Sequence, residues 1–345
     1  MGVFFSIIIP VYNGEQYIKN CLDSIYRQGL GDDDFEVICV NDCSTDNTAQ
    51  VISEYGKFHQ NIRLINHETN RRQGSARNTG VKVAKGDYIL YIDADDTFES
   101  NALPLLRNVI EKNKDLDILK FDYALVERNG STKNIIEEFD SQDVMSGHNF
   151  IKRNSIPWSS WLCAYRRLFL LENNILFREN VRFEDADYII NCIRIANRIQ
   201  YAAIVVYNYI MYDSQTTKIR CEKNKIVNFF EQSDRIKEIA YKEQDKDVSN
   251  CIMRHHFFMY KMNILRYWWR LSYKDRKELL VTYQPMLPCK DKLVSFIGRY
   301  PRLFLMASTV VKPLLPGLRY VYLKSKIESH RCYSLFRALA KSPKY

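Results

Sequence analysis

The first 125 residues alternate short apolar runs with segments of helical periodicity. Four apolar runs rich in β-branched and aromatic residues predict strands at residues 4–9, 35–40, 62–65 and 88–92. Between them, apolar residues recur at intervals of three and four, which predicts helices at residues 15–28, 44–58 and 75–84. Because strands that alternate with helices form parallel βαβ units, the sequence predicts an α/β fold with a doubly wound, mostly parallel sheet.

Polar side chains follow three of these predicted strands directly. Tyr12 and Asn13 follow the first strand, Asn41 and Asp42 the second, and Asp93-Ala94-Asp95-Asp96 the fourth. Ligands of doubly wound sheets bind at the carboxyl ends of the strands. We therefore expect the three clusters to form one site.

The rest of the chain changes character twice. Strands are predicted at residues 118–123 and 201–207, and helices at 163–173 and 187–198. Beyond residue 220 the pattern is helical and rich in aromatic residues. The sequence therefore predicts an α/β domain over residues 1–220 and a helical region over residues 221–345.

Charge separates the same two regions. Residues 1–220 hold 25 Lys and Arg against 30 Asp and Glu, whereas residues 251–345 hold 19 against 4. This asymmetry predicts that the C-terminal region meets an anionic partner, either a membrane surface or a nucleic acid. The nine cysteines form no C-x-x-C pair, and no apolar run has the length of a membrane span or the flanks of a signal peptide. We expect reduced thiols in a cytoplasmic protein.

The acidic cluster after the fourth strand predicts a metal site. Three carboxylates in four residues, Asp93, Asp95 and Asp96, repel one another unless a cation or hydrogen bonds compensate. Hard ions such as Mg²⁺ and Mn²⁺ take such oxygens together with phosphate oxygens. The alternative is a solvated turn in which Asp95 or Asp96 caps the next helix.

Two further segments suggest binding of a nucleotide. Asp42 has the chemistry to accept a hydrogen bond from a base ring N–H, while Ser44 and Asp46 are expected to cap the following helix. Residues 73–80 hold small side chains where backbone approaches closely, next to Arg72 and Arg77, which are candidate phosphate ligands. This segment matches neither the P-loop nor the dinucleotide-binding pattern.

Four segments in order, at residues 6–14, 41–48, 74–80 and 85–96, together resemble the donor half of family-two inverting glycosyltransferases, which have the GT-A fold. The resemblance implies a nucleotide-sugar-binding half at residues 1–98, an acceptor half at residues 99–220, and transfer of a sugar from a UDP-sugar to an acceptor hydroxyl.

The resemblance also implies residue roles. Pro10, Tyr12 and Asn13 border the base and ribose, Asp42 binds the uracil ring, Asp93 lies near the ribose, and Asp95 is the ligand of Mn²⁺ or Mg²⁺. Two positions depart from the family pattern: Cys43 stands where glycine is common, and Asn41 where aspartate is common.

A weaker resemblance extends to about residue 217. Glu184 and Asp185 resemble the family's acidic pair before a helix, in which the aspartate is the general base. An inverting reaction needs a base because the acceptor hydroxyl must lose its proton as it attacks. The alternative is that both acids cap the helix. Trp158 and Trp161, together with Glu184, are candidate acceptor contacts, and the tryptophans are equally compatible with a place in the core.

The basic C-terminal region predicts peripheral membrane association. Cations and aromatics interleave at residues 266–270 and again at 299–326, which is typical of a helix lying in a membrane interface with Trp268, Trp269 or residues 303–305 inserted. A lipid-linked or glycan acceptor at the inner face of the plasma membrane would fit this arrangement. The alternative is a solvated basic subdomain packed on the catalytic core.

Three other functions explain less of the sequence. A nucleic-acid binder does not account for the acidic residues 1–220, and no nucleic-acid motif is present, so no nucleic-acid partner is expected. A nucleotidyltransferase would need a basic, Gly-rich loop after the first strand, and residues 10–14 lack a basic residue. A catalytically inactive binding domain is disfavoured because every expected acid is present.

Overall fold

The computed structural model describes residues 2–310, apart from 128, 138, 140, 213–222, 269–270 and 284–291. The described residues fall into two compact units, one within Met1–Tyr212 and one within Asp213–Tyr345.

The first unit is built on a mixed sheet. Its strands are β1 (Phe5–Val11), β2 (Phe35–Asn41), β3 (Ile62–Asn66), β4 (Tyr88–Tyr91), β5 (Thr97–Phe98), β6 (Ile118–Val126), β7 (Thr132–Ile135), β8 (Cys163–Arg166) and β9 (Ile199–Ile210). They are ordered β3-β2-β1-β4-β8-β6-β9-β5, with β7 paired to β6. The four N-terminal strands are all parallel, and β8 joins them to the second half by antiparallel pairing with β4 and β6.

Helices cover this sheet. They are α1 (Ile18–Tyr26), α2 (Thr48–Tyr55), α3 (Arg72–Val83), α4 (Ala102–Lys112), α5 (Gly147–Arg153), α6 (Arg167–Glu172) and α7 (Asp185–Ile195), with a 3-10 turn at Ser160–Leu162. α3 packs on β1 and β2, and α5 packs on α7. The strands β1 and β2 are buried along their whole length, as expected for parallel strands covered on both faces.

One predicted helix is partly wrong. Residues 163–166, assigned to a helix from periodicity, form strand β8, and α6 begins only at Arg167. Cys163, Ala164 and Tyr165 are fully buried between β4 and β6. A short apolar run has no periodicity that separates a buried strand from a buried helix, so pairing between distant segments decided its structure.

The second unit is helical in its described parts. Its helices are α8 (Lys223–Lys242), α9 (Lys246–Tyr267), α10 (Tyr273–Thr282), α11 (Lys292–Arg299) and α12 (Pro301–Val310). Their apolar residues form one core: Ile226, Phe230, Tyr260, Ile264, Trp268, Leu271, Leu279, Leu280, Ile297, Phe304 and Leu305.

This core corrects part of the membrane prediction. Trp268, Phe304 and Leu305 were expected to insert into a membrane, but their side chains are buried inside the second unit. Only Leu303 of the 303–305 segment is exposed, and Trp269 lies outside the described residues. Across the part of the chain that the structure describes, no helix is both long enough and apolar enough to cross a bilayer.

Candidate active site at the carboxyl ends of the strands

The parallel order of the N-terminal strands brings the predicted polar clusters to one edge of the sheet. Val11 at the end of β1 is in register with Asn41 at the end of β2, and β4 pairs with β1 on its other side. The residues that follow these three strands therefore lie side by side. Pro10 itself is buried within β1, so it supports the edge and is not exposed to a ligand.

The loop after β1 is tied to the loop after β2. The Asn13 N–H donates to Ser44 Oγ at 2.9 Å, and the side-chain oxygen of Asn13 accepts from the Thr45 N–H at 2.8 Å. Asn13 has a left-handed backbone (φ 51°), which this residue type tolerates. Tyr12, next to it, is 51% exposed and presents its ring to solvent.

Of the two residues expected to cap α2, only Asp46 bonds to the start of the helix. Asp46 Oδ1 accepts from the Thr48 N–H at 3.1 Å, as a residue near a helix start is expected to do. Ser44 does not cap the helix, since its hydroxyl accepts from Asn13.

Asp42 is held by residues that sequence analysis missed. Its Oδ1 lies 2.8 Å from His67 Nδ1 and accepts from the Arg71 N–H at 2.9 Å. The other ring nitrogen of His67 lies 2.9 Å from Thr79 Oγ1, so the imidazole connects the loop after β2 to α3. His67 directly follows β3, and the strand-end rule that identified Asp42 applies to it as well.

Of the three acids after β4, Asp96 is structural. It is 1% exposed, its Oδ2 accepts from the Tyr207 hydroxyl at 2.6 Å, and its Oδ1 accepts from the Ile210 N–H at 2.8 Å. The Tyr207 hydroxyl in turn accepts from the Asp93 N–H at 3.1 Å. Burial, with the charges of Asp95 and Asp93, raises the pKa of Asp96.

The alternative of a solvated, helix-capping turn is wrong for this cluster. Asp96 is buried, and strand β5 follows it directly. The next helix, α4, has Asn101 at its N-cap. Asp93 and Asp95 are each partly exposed.

A buried arginine lies at the centre of the site. The guanidinium of Arg77, in α3, is fully buried and contacts Asp93 Oδ1 at 2.8 Å, Glu184 Oε1 at 2.7 Å and Asp185 Oδ1 at 3.4 Å. Burial alone would lower the pKa of Arg77, but the three carboxylates raise it above its ordinary value. Arg77 is thus a permanent cation that joins carboxylates from two distant parts of the chain.

This placement revises two expected roles. Arg77 was expected to bind donor phosphate, but its guanidinium is buried among carboxylates. Glu184 was a candidate acceptor contact, but it is fully buried. Burial, and then the charge of Asp185, raises the pKa of Glu184 to about 7, although Arg77 opposes the shift.

Asp185 is the acid of this pair that reaches solvent. It is the first residue of α7, its side chain is 17% exposed, and its Oδ1 accepts from the Ser160 N–H at 3.1 Å and from the Ser160 hydroxyl. The alternative that Glu184 caps α7 is not supported, because its side chain makes no cap hydrogen bond.

Helix α3 joins the two halves of the site. Asn78 both donates to and accepts from the backbone of Phe177 at 2.9 Å. A Cβ on Gly74 would lie 2.7 Å from the Arg178 carbonyl oxygen, so only glycine allows this approach. The expected close backbone contact at residues 73–80 is therefore present. Arg72, at the start of α3, is partly exposed and has a positive φ of 67°.

The two tryptophans expected at an acceptor site differ in placement. Trp161 is 2% exposed and stacks on Tyr207, with ring centroids 4.0 Å apart, so it belongs to the core. Trp158 is partly exposed and packs edge-on against Trp161 at 4.9 Å. Trp158 therefore stays a candidate acceptor contact.

The acidic loop fits a divalent ion that is shared with a diphosphate. Within the described ranges, no group of three His, Cys, Asp or Glu residues is arranged to hold a metal by itself. Asp93 and Asp95 nevertheless offer carboxylate oxygens at the partly exposed face of the loop. One or two carboxylates completed by phosphate oxygens and water are the usual shell of Mg²⁺.

Comparison with known proteins identifies relatives. The chain is 32% identical to the uncharacterized glycosyltransferase EpsJ of Bacillus subtilis (strain 168) over 221 residues, which cover 62% of this chain and 63% of that protein. It is 33% identical to the poly(ribitol-phosphate) beta-glucosyltransferase of Bacillus spizizenii over 208 residues, 60% of this chain and 32% of that protein. The matched region thus spans less than two thirds of either relative.

Solved structures share the fold. S. aureus TarS 1-349 in complex with UDP-GlcNAc superimposes with a TM-score of 0.63 at 22% identity, covering 87% of this chain and 88% of that one. The mannosyltransferase PcManGT from Pyrobaculum calidifontis, in complex with GDP-Man and Mn²⁺, gives 0.53 at 16% identity, covering 90% and 87%. These similarities confirm the predicted GT-A fold.

The model of the family described as glycosyl transferase family 2 matches residues 6–174. This range contains Asp42, Arg77, Asp93 and Asp95, and it ends before Asp185. Residues 6–174 are therefore similar to the glycosyl transferase family 2 domain, and the fold is GT-A.

Proposed function

We propose that this chain is an inverting glycosyltransferase that moves a sugar from a UDP-sugar to an acceptor hydroxyl. The arrangement around Arg77 carries the proposal. One buried guanidinium contacts Asp93, which follows β4, and Asp185, which begins α7. Asp93, on the side proposed for the donor, and Asp185, on the side proposed for the acceptor, therefore flank the same site.

The donor is bound at the strand ends. Asp42 accepts from the uracil ring, while Tyr12, Asn13 and Asp93 border the base and ribose. Arg72, the partly exposed first residue of α3, is assigned to the diphosphate. TarS, whose fold this chain shares, binds UDP and UDP-GlcNAc, which supports a uridine nucleotide.

Asp95, with help from Asp93, would hold Mn²⁺ or Mg²⁺. When bound, the ion supplies positive charge to the diphosphate leaving group. The Mn²⁺ complex of PcManGT supports this assignment. Asp96 is not a ligand in this proposal, because both of its oxygens accept hydrogen bonds within the fold.

Asp185 acts as the general base. Inversion requires the acceptor hydroxyl to attack the face opposite the diphosphate and to lose its proton there. Asp185 is the partly exposed carboxylate of the Arg77 cluster, whereas Glu184 beside it is buried. The proposed base and the donor-side Asp93 are thus linked through the Arg77 guanidinium.

The acceptor is a glycan or a lipid-linked glycan, and the enzyme works at the inner face of the plasma membrane. Relatives named for transfer to poly(ribitol-phosphate) support a polymeric acceptor in surface-polysaccharide assembly. The second unit supports peripheral membrane binding, since Phe296, Tyr300 and Leu303 are exposed near α11 and α12.

A thermal-shift panel tests the proposed donor and metal. UDP, UDP-GlcNAc, UDP-glucose and GDP-mannose are each added with Mn²⁺ or with EDTA. A ligand that binds the native state raises its melting temperature by mass action. We expect uridine nucleotides with Mn²⁺ to give the largest increase, and Asp95→Asn to remove the Mn²⁺-dependent part of it.

The matched control is Asp33→Asn, an exposed aspartate before β2 at the opposite end of the strands. It should shift like the parent protein. Equal shifts with Mn²⁺ and EDTA, or a larger shift with GDP-mannose than with any uridine nucleotide, would contradict the proposal.

A further inference from the structure

Ser160 contacts the proposed base, although in the sequence only its neighbours Trp158 and Trp161 were candidates for the site. It is the first residue of the 3-10 turn Ser160–Leu162, and it is fully buried. The first N–H groups of a helical turn have no partner within the turn. The Ser160 N–H is therefore available, and it donates to Asp185 Oδ1 at 3.1 Å.

The Ser160 hydroxyl donates to the same oxygen. Asp185 Oδ1 thus receives the N–H and the hydroxyl of Ser160, and the Arg77 guanidinium at 3.4 Å. No donor from the described residues reaches Oδ2. A carboxylate with all its donors on one oxygen is fixed in rotation, and its second oxygen is left to accept a proton.

The turn that carries Ser160 is itself held firmly. The Ser160 carbonyl oxygen accepts from the Tyr165 hydroxyl at 2.9 Å. The next residue, Trp161, stacks on Tyr207, whose hydroxyl accepts from the Asp93 N–H. Ser160 is therefore fixed relative to both the base and the acidic loop.

We propose that Ser160 is a positioning residue that orients Asp185 so that Oδ2 faces the acceptor hydroxyl. The proposal rests on the role of Asp185 as general base. Because Ser160 is fully buried, its side chain would act through Asp185 and not on a substrate directly. Its removal should therefore lower the rate of transfer without changing the binding of the donor.

The test compares Ser160→Ala with Ser159→Ala. Ser159 is the buried neighbour, and among the described residues it is Ser160, not Ser159, whose hydroxyl donates to Asp185, so the Ser159 variant controls for loss of a buried hydroxyl in this segment. Turnover is measured as UDP release from UDP-GlcNAc and from UDP-glucose, with poly(ribitol phosphate) and with water as acceptor. UDP affinity is measured by calorimetry.

We expect Ser160→Ala to lower kcat about tenfold, since a misoriented reacting group costs rate but not affinity. The UDP Kd should stay within about twofold of the parent value. Ser160→Cys replaces the hydroxyl by a weak donor, so its kcat should lie between that of Ser160→Ala and that of the parent. Ser159→Ala should have the parent kcat. A parent-like kcat for Ser160→Ala would overturn the proposal.

A double-mutant cycle separates positioning from a general structural effect. If Ser160 acts through Asp185, Ser160→Ala should change nothing further in an Asp185→Asn background. If Ser160→Ala lowered kcat by the same factor in the Asp185→Asn background as in the parent, the proposal for Ser160 would be overturned. A normal kcat for Asp185→Asn alone would instead overturn the proposed base.

A crystal structure of Ser160→Ala with UDP gives a readout that does not depend on turnover. We expect the Asp185 carboxylate to rotate about its Cβ–Cγ bond, with Arg77 and α7 in place. An Asp185 carboxylate that keeps its orientation would contradict a positioning role.

Discussion

At the scale of single residues, Glu184 should make stability depend on pH. Burial raises its pKa to about 7 from an ordinary value near 4.5. A carboxyl with a raised folded-state pKa contributes stability that is fully present below the unfolded-state pKa and is lost as pH rises through the folded-state pKa. The free energy of unfolding should therefore decrease between about pH 4.5 and 7.

Glu184→Gln should reduce that decrease, because the amide is neutral at every pH and its oxygen can still accept from Arg77. Urea unfolding at pH 5, 6, 7 and 8 measures the effect. Glu172→Gln, at an exposed glutamate, is the control and should keep the parent slope. If the free energy of unfolding of Glu184→Gln depended on pH as in the parent, Glu184 would not be the group whose folded-state pKa is raised.

Sequence predicted several single residues of the candidate site and misplaced others. Asp42 and Asp93 were singled out because they follow predicted strands, and Asp185 because it resembles the family's acidic pair before a helix. His67 and Ser160 were missed because their partners lie 25 residues away in the chain. Arg77 and Trp161 were given ligand-binding roles because a linear pattern does not reveal which large side chains are buried.

At the scale of elements, Gly74 tests whether α3 holds the two halves of the site together. Alanine is favoured over glycine inside a helix by about 1 kcal/mol, so Gly74→Ala would ordinarily stabilise the protein. Here the new Cβ would lie 2.7 Å from the Arg178 carbonyl oxygen and 3.2 Å from Phe177 Cβ. We expect a loss of about 1–3 kcal/mol in the free energy of unfolding, as for an overpacked core.

Urea unfolding and UDP release measure this change together. The displaced segment leads into Asp185, so kcat should decrease as well. Gly31→Ala is the control, because its Cβ would meet only Asp34 Oδ2 at 3.4 Å, an ordinary contact. A Gly74→Ala protein more stable than the parent would show that this approach is not constrained.

The elements that sequence predicted well are those with strong local patterns. The first four strands match prediction to within two residues, because each is a β-branched run bounded by polar residues. β8 was assigned to a helix and α4 was not predicted. β8 owes its structure to pairing with β4 and β6, which come from distant parts of the chain.

At the scale of the whole molecule, the second unit should hold the protein on an anionic membrane. Phe296, Tyr300 and Leu303 are exposed, and exposed Arg299 and Arg302 lie among them in sequence. Neither arginine pairs with an acid in the described part of the chain. Each cation near an anionic surface contributes roughly 1 kcal/mol, so Arg299→Glu with Arg302→Glu should weaken binding at least about 30-fold.

Co-sedimentation with vesicles of phosphatidylglycerol and phosphatidylcholine, at low and high salt, measures this binding. The control, Lys57→Glu with Lys82→Glu, makes the same change in net charge at exposed sites of the first unit. It should bind like the parent. Equal loss of binding in both double variants would mean that vesicle binding depends on the net charge of the protein and not on a surface formed by the second unit.

The Arg77 guanidinium, shared by three carboxylates, should limit how segments of this chain can be exchanged with those of its relatives. Arg77 lies in α3, and its partners come from the loop after β4 and the start of α7. Residues 1–98 and 99–220 should therefore not be interchangeable. A chimera that takes the first segment from one relative and the second from another must retain this arginine wherever the second segment brings its buried carboxylate. Without the arginine, that carboxylate is left in the interior with no cation beside it, at a cost of about 3–5 kcal/mol. New donor specificity is therefore better sought by changing exposed residues such as Tyr12 than by exchanging whole halves.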